Sequence, residues 1–320
     1  MDNNILLTGC TGFSGSWLAE RIIDDKLGTL YGTVRGRCRQ TTFIDHIKNH
    51  INLLECDLTD FNSVYSTLKE SNPDYIFHLA AQSFVPTSWR APQETINTNV
   101  LGTLNILEAV RKLEIDPKIL ITSSSEVYGY VNEDELPIKE TNPLRPLSPY
   151  ATSKCCQDLL GYQYWRSYGI KVIRTRAFNI MGPRSGEKIV TASIAKQIAE
   201  KEQNRFIDNI NVGNLEAIRD FNDVRDITRA YVMCLYRATV GEVYNISTGV
   251  GHTIKDILNT FGKYTTIDLS TKQENNRMRP SDVSVLIGDS LKLRNEIGWK
   301  PSVEFENSIK DILEYWRTQI

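Results

Sequence analysis

The sequence predicts an α/β fold: a doubly wound parallel sheet with a smaller lobe toward the C-terminus. Three observations lead there. Gly9, Gly12 and Gly15 form an evenly spaced loop directly after the apolar run Ile5-Leu6-Leu7. Short β-branched or aromatic runs alternate with helix-period segments through the first half of the chain, the pattern of parallel strands joined by right-handed crossovers. After about Gly182 that alternation lapses and polar stretches such as 208–214 and 271–280 lengthen.

In chain order, residues 5–7 read as a buried first strand and 17–25 as the helix after the glycine loop. Further strands are expected at 30–34, 51–55, 75–79, 118–122 and 171–176, with helices at 62–70, 95–113 and 150–168. The 95–113 segment carries Ile96, Val100, Leu104, Leu107 and Val110 at helical spacing. Residues 241–247 read as one more strand returning to the sheet, so the lobes interleave. Residues 1–180, together with 220–250, are expected to form a Rossmann-type dinucleotide-binding domain. Residues 181–320 are expected to form a smaller α/β substrate lobe.

Composition narrows the function. The 320 residues are 41% hydrophobic and 24% charged, ordinary for a globular enzyme. A net charge of −2 gives no footprint for nucleic acid or an anionic membrane. No apolar run approaches the roughly 18 residues of a membrane span, and the chain passes straight into its first strand without a visible leader. The six cysteines include no C-x-x-C pair and no Cys/His cluster of metal-ligand spacing. A cytoplasmic protein without a metal is therefore expected.

The chemistry-bearing residues fall where a parallel sheet places ligands, beyond the carboxyl ends of its strands. A strand, a glycine loop and a helix set free N–H groups and a positive dipole end against a pyrophosphate. Tyr150 and Lys154 stand four apart at the start of a helix and share one face. A neighbouring ammonium favours the phenolate and lowers the tyrosine pKa toward neutrality. Tyr65 and Lys69 show the same spacing but fall mid-helix on an expected solvated face. Upstream, Ser124, Ser125 and Glu126 close the fifth strand. They offer two hydroxyls and a base, or equally a serine-rich turn. After the second strand come Arg35, Arg37 and Arg39 with no acid in the turn. Arginine pairs with a 2′-phosphate where an acid would take a 2′-hydroxyl, so NADP is expected over NAD.

At this point the chain resembles the extended short-chain dehydrogenase/reductases that modify nucleotide-sugars. The motifs are T-G-x-x-G-x-x-G at 8–15, D-L-T-D at 57–60, H-L-A-A at 78–81, S-S-S-E-V-Y-G at 123–129, S-P-Y-x-x-x-K at 148–154 and R-x-F-N at 176–179. Later segments, including G-P-R-S-G-E, V-G-N-L-E-A-I-R-D-F and R-M-R-P-S-D, are similar to the GDP-mannose 4,6-dehydratase and GDP-4-keto-6-deoxymannose reductase branch. The resemblance implies that Gly9, Thr11, Gly12, Phe13 and Gly15 line the cofactor diphosphate; the charge argument above adds Arg35 at a 2′-phosphate. It implies Asp57 and Leu58 at the adenine, and Leu79, Ala80, Ala81 and Thr122 walling the cofactor. Tyr150 becomes the acid–base residue, with Lys154 holding the nicotinamide ribose. Ser124, Ser125 and Glu126 join the catalytic set, while Ser83, Asn179, Arg184, Lys188, Arg219, Arg279 and Asp282 would bind the sugar nucleotide. The implied partner is a GDP-sugar, and the implied assembly a homodimer or homotetramer.

Two chemistries follow from the resemblance. A 4,6-dehydratase needs Glu126 as base at C5, whereas a 4-keto reductase does not. The S-S-E segment with G-P-R-S-G-E leans to the dehydratase, and the R-D-F-N-D-V-R-D segment leans equally to the reductase. A C4 dehydrogenase or epimerase is a lesser alternative, and the intact Tyr150/Lys154 pair speaks against a non-catalytic nucleotide binder.

Overall fold

The computed structural model describes residues 3–36, 41–203, 208–274 and 283–320. Strand β1 (Asn4–Thr8) is buried along Ile5, Leu6 and Leu7 and leads through the glycine loop into α1 (Phe13–Asp24). Leu18, Ala19 and Ile22 recur at helical spacing on α1, which turns one apolar face onto the sheet. The chain continues through β2 (Thr29–Val34), β3 (Ile51–Glu55), α2 (Phe61–Ser71) and β4 (Tyr75–His78). Asp60 starts α2 by accepting the Asn62 N–H at 3.0 Å, which satisfies one of the donors a helix start leaves open. Two short helices follow, α3 (Val85–Arg90) and α4 (Pro92–Ile96), each with proline in its first two positions. A wider turn, Asn97–Leu101, joins α4 to α5 (Gly102–Leu113). Next come β5 (Lys118–Thr122), α6 (Pro149–Tyr168) and β6 (Val172–Ala177).

The second half runs β7 (Asn179–Met181), α7 (Val190–Glu202), β8 (Ile210–Val212), β9 (Ile218–Asp223), α8 (Val224–Arg237) and β10 (Val243–Ile246). It closes with β11 (Gly251–Thr253), α9 (Ile254–Phe261), β12 (Thr271–Gln273), β13 (Val285–Leu286), α10 (Leu291–Ile297) and α11 (Phe305–Gln319).

Among the described residues, seven strands form one sheet in the order β3-β2-β1-β4-β5-β6-β10. Every neighbouring pair is parallel. The order reverses between β1 and β4, and the glycine loop sits at that switch point, where such sheets open a ligand crevice. Helices cover both faces. Residues of α1, α8 and α10 share one core with the sheet, and residues of α2, α5 and α6 share the other. A second sheet sets β9 between β11 and β13, with β7 also paired to β9. Its neighbouring core joins Ile194 and Ile198 to Ile257, Phe261, Ile309 and Leu313. Because β10 belongs to the central sheet and α8 packs against it while β9 and β11 belong to the second sheet, the chain crosses between lobes repeatedly.

The stretches read as polar loops at 208–214 and 271–280 hold β8 and β12, which pair in parallel with Thr271 opposite Ile210. Each is three residues long and β12 is exposed throughout. Neither is long enough to show an alternating pattern. Among the described residues no helix is long and apolar enough to cross a membrane.

Candidate functional site

The cofactor end is built from close backbone approaches. Gly9 has φ +75°, a left-handed conformation that favours glycine, and a Cβ there would lie 3.0 Å from the Ala80 backbone. A Cβ on Gly15 would lie 2.0 Å from the Gly9 carbonyl oxygen. Gly12 N–H donates to that same oxygen at 3.0 Å, which closes the turn. No side chain caps α1 and no acid stands in its first turn, so its opening N–H groups face outward as an anion site. Thr11 and Phe13 flank the loop, both half-buried. Cradle and bare helix start together fit a dinucleotide diphosphate.

Arg35 is exposed at the end of β2, close enough to Asp57 to favour its charged form. The Asp57 carboxyl is held below its ordinary value first by the Thr59 N–H and hydroxyl, which donate to Oδ1 at 2.9 and 2.7 Å. Leu58 is buried against Gly102 of α5, whose added Cβ would meet Leu58 Cβ at 3.1 Å. Leu79, Ala80 and Ala81 continue the rim after β4, each half-buried. Arg37 and Arg39 lie outside the described residues.

Across the crevice, α6 presents Tyr150 and Lys154. Ser148 Oγ accepts the Ala151 N–H at 3.0 Å and Pro149 fills the first turn, so the helix begins just before Tyr150. Lys154 is buried, donates from Nζ to Thr122 O at 2.9 Å, and stands 5.9 Å from the Tyr150 ring centroid. Thr122 is itself fixed by donating from Oγ1 to His78 O at 3.0 Å. The Tyr150 hydroxyl is hydrogen-bonded to Ser124, and the Glu126 charge acts on it. Ser124 Oγ in turn accepts the Glu126 N–H at 3.2 Å and starts the short turn Ser125–Val127, within which Ser125 is buried. Five residues read from two separate segments thus converge.

Their electrostatics correct one expectation. The lysine was to lower the Tyr150 pKa, but burial dominates and pushes the phenol up to about 12, with Ser124 opposing and Glu126 adding to the rise. Burial likewise brings the Lys154 ammonium down to about 7. Without ligand, both groups are therefore biased toward their neutral forms.

Several supporting residues escaped sequence reasoning. His78 is buried between Thr8 Oγ1 (2.8 Å from Nδ1) and Thr103 Oγ1 (2.9 Å from Nε2). Burial, then the nearby Lys154 charge, lower its pKa to about 3, so it is a neutral strut. Asn99, inside the wide turn before α5, donates to Ser153 Oγ at 2.8 Å and to Gln82 O at 3.1 Å, and accepts the Gln82 N–H at 2.7 Å. It therefore clamps the rim loop to α6. The available signal was two asparagines in mid-helix, at Asn97 and Asn99, where asparagine is a poor helix former. Wide turns of this kind often sit at functional sites.

On the lobe side, a narrow cavity brings Glu126 and Ser148 together with Val85 and Trp89 of α3 and Arg219 of β9. Arg219 is buried, and its Nη1 donates to Ile218 O at 2.9 Å. Asn179 Oδ1 is buried with no hydrogen-bond partner, the condition of an atom awaiting a donor. Arg184, expected at the sugar nucleotide, makes its contacts here with α1. Its guanidinium pairs with Glu20 of α1 at 2.7 Å and lies 4.5 Å from the Trp17 ring centroid. Trp17 Nε1 also donates to Pro183 O at 3.0 Å, so this loop is strapped to α1. Arg184 itself sits in the left-handed region, with φ +70°. Lys188 is exposed with its ammonium 5.0 Å from the Phe84 ring centroid, and Ser83 is exposed next to that phenylalanine. Arg279 and Asp282 lie outside the described residues.

Fold and site together define an NAD(P)-dependent enzyme of the extended short-chain dehydrogenase/reductase class. Comparison with known proteins narrows the class. The chain belongs to the GDP-mannose 4,6 dehydratase family, whose profile matches residues 6–312. It is 35% identical over 248 residues to GDP-6-deoxy-D-mannose reductase of Pseudomonas aeruginosa, covering 78% of this chain and 82% of that protein. It is 32% identical over 324 residues to GDP-mannose 4,6 dehydratase 2 of Arabidopsis thaliana, covering 97% of this chain and 85% of that one. The solved structure of RMD from Pseudomonas aeruginosa complexed with NADPH superposes with a TM-score of 0.85 at 30% identity, covering 99% of this chain and all of the other.

Proposed function

We propose that this protein is an NADP-dependent GDP-hexose 4,6-dehydratase of the GDP-mannose type. One observation carries the reading: a carboxylate, Glu126, lies close enough to Tyr150 for its charge to act on the phenol, and it lines a narrow cavity with Ser148 and Arg219. Residues 1–180 with 220–250 hold the cofactor, and 181–320 the sugar nucleotide. Gly9, Thr11, Gly12, Phe13 and Gly15 take the diphosphate, Asp57 and Leu58 the adenine, and Arg35 the 2′-phosphate. Leu79, Ala80, Ala81 and Thr122 wall the nicotinamide side, which Lys154 reaches through the ribose. When bound, the nicotinamide supplies a reversible hydride acceptor.

Tyr150 moves the proton at the sugar 4-oxygen. Lys154 beside the ring stabilises the phenolate, so a ligand that brings the ammonium to full charge also activates the tyrosine. Oxidation at C4 acidifies the C5 proton, and Glu126 removes it. Ser124 holds the C6 hydroxyl, which leaves as water with the proton Glu126 took from C5. The C5–C6 double bond left behind would take back the hydride at C6 and a solvent proton at C5, so that the cofactor ends unchanged. Arg219 answers the nucleotide phosphates, and Asn179 Oδ1 accepts a donor from the same ligand.

A second reading is 4-keto reduction, favoured by the 35% identity to the Pseudomonas reductase. There Tyr150 gives its proton to the 4-oxygen and Glu126 is dispensable. The purified protein mixed with GDP-mannose and no added cofactor separates the two. Loss of one water, seen by mass spectrometry and abolished in Glu126→Gln, supports the dehydratase. Unchanged GDP-mannose, with NADPH consumed on a 4-keto-6-deoxy substrate, makes it the reductase.

A further inference from the structure

The segment that carries Ser124 and Glu126 is fastened at its far end by a buried tyrosine. Tyr128 stacks on Phe178 with ring centroids 6.4 Å apart. Its hydroxyl donates to Asn245 Oδ1 on β10 at 2.6 Å and accepts from Arg176 Nη1 on β6 at 3.0 Å. Arg176 is gripped by Asp158 of α6, Nε to Oδ2 at 2.8 Å and Nη2 to Oδ1 at 3.3 Å. Asp158 lies one turn beyond Lys154 on the same helix as Tyr150. A continuous polar chain therefore runs from the catalytic helix through Asp158 and Arg176 to Tyr128. From there the Tyr128 N–H donates to Ser125 O at 3.1 Å and the Gly129 N–H to Glu126 O at 3.2 Å. Asn245 anchors the other side, donating from Nδ2 to Ile138 O at 2.9 Å. Remove the phenol oxygen and the turn bearing Glu126 keeps its ring packing but loses its fixed point.

We propose that Tyr128 is the positioning residue for Glu126, its hydroxyl locked between Arg176 and Asn245 so that the carboxylate faces C5 while Tyr150 faces the 4-oxygen. The inference rests on the dehydratase reading, in which Glu126 is the C5 base. In that step the C5–H bond breaks, the proton goes to a Glu126 oxygen, and the electron pair passes into the C4 carbonyl as an enolate. In D₂O, return of a deuteron from the same carboxyl labels C5. A carboxylate displaced by about 1 Å loses on the order of tenfold to a hundredfold in such a transfer.

The test compares wild type with Tyr128→Phe, which keeps the stacked ring. Deuterium uptake at C5 of GDP-4-keto-6-deoxymannose is followed by mass spectrometry. C4 oxidation is followed separately, as reduced cofactor formed in a single turnover with NADP⁺ and GDP-mannose. C5 exchange should fall at least about tenfold while C4 oxidation stays within about twofold. Asn245→Ala, which removes the phenol's acceptor without touching the ring, should shift the same ratio should Tyr128→Phe not fold. Equal loss in both assays, or no loss in either, overturns the proposal and leaves the dehydratase reading in place. A wild-type enzyme that exchanges no deuterium at C5 removes the base role of Glu126, and the proposal falls with that reading.

Discussion

Adding one methyl group at two places in the glycine loop separates what the loop does for the fold from what it does for the cofactor. At Gly15 a Cβ would stand 2.0 Å from the Gly9 carbonyl oxygen and 2.8 Å from its carbon, both backbone atoms. That is about 1.4 Å short of ordinary contact, and backbone in a tight turn yields only by shifting the strand end or the helix. Overpacking of this kind costs about 1–3 kcal/mol, so Gly15→Ala lowers both stability and NADPH affinity. At Gly12 a Cβ would meet only the Gly9 oxygen at 3.3 Å, and its φ of −79° suits alanine. Gly12→Ala therefore costs under about 1 kcal/mol, mostly as a poorer helix start. Gly12 is exposed on the crevice side, and a methyl there occupies ground the diphosphate needs, so NADPH affinity falls on the order of a hundredfold. Fluorescence titration with NADPH alongside thermal unfolding measures both variants. Normal NADPH affinity in Gly12→Ala would refute the placement of the diphosphate at the start of α1.

Lys154→Met should raise the melting temperature of the ligand-free protein while abolishing turnover. Because the folded lysine pKa is depressed to about 7, the unfolded chain holds the extra proton from there up to its ordinary 10.5, and wild-type stability rises with pH across that window. The gain in Lys154→Met is thus larger at pH 6 than at pH 9, and a pH-independent gain would contradict a buried ammonium. His78, lowered to about 3, adds an acid-labile contribution: stability drops as pH falls below 6.5 toward 3, and His78→Gln should flatten that limb of the unfolding profile. Arg184→Ala should speed NADPH release several-fold, by stopped-flow fluorescence, while leaving the sugar-nucleotide KM nearly unchanged, since its contacts are with α1. Asp158→Ala leaves Arg174 and Arg176 buried without their carboxylate. It should destabilise by about 3–5 kcal/mol, or about 5–7 °C in a chain of this length.

What could be read ahead of the structure was whatever a local spacing determines. Three glycines between a strand and a helix set the crevice, and an i,i+4 pair after Pro149 put Tyr150 and Lys154 on one face. The same spacing at Tyr65 and Lys69 falls on α2, where Lys69 is exposed, so position relative to the sheet decided between identical patterns. Interactions that exist only once distant segments pair left no local trace. Asp158 looks like a helix-surface acid until β6 brings two arginines to it, and Asn99, a poor helix former, gives no hint of the Ser153 and Gln82 it will join. The Tyr150 pKa went astray for a related reason, because spacing shows the neighbouring charge and not the depth of burial. The contacts of Arg184 with Glu20 and Trp17 were equally illegible, because they join residues far apart in sequence.

The position of β10 has a consequence for the order in which the chain becomes a protein. Until residues 243–246 emerge from the ribosome, β6 is the edge of the sheet, with α7, β8, β9 and α8 still to be made or settled. An unpaired, buried-type strand of that kind is a template for pairing with another nascent chain. Here the waiting edge carries Arg174 and Arg176 in alternate positions, and inward-pointing charges are a recognised way to discourage such pairing. Asp158, translated earlier on α6, is already present to hold them ionised and turned inward. The arginines therefore also charge the edge of the half-built sheet, and replacing both Arg174 and Arg176 with apolar residues should lower the soluble yield more than it lowers stability.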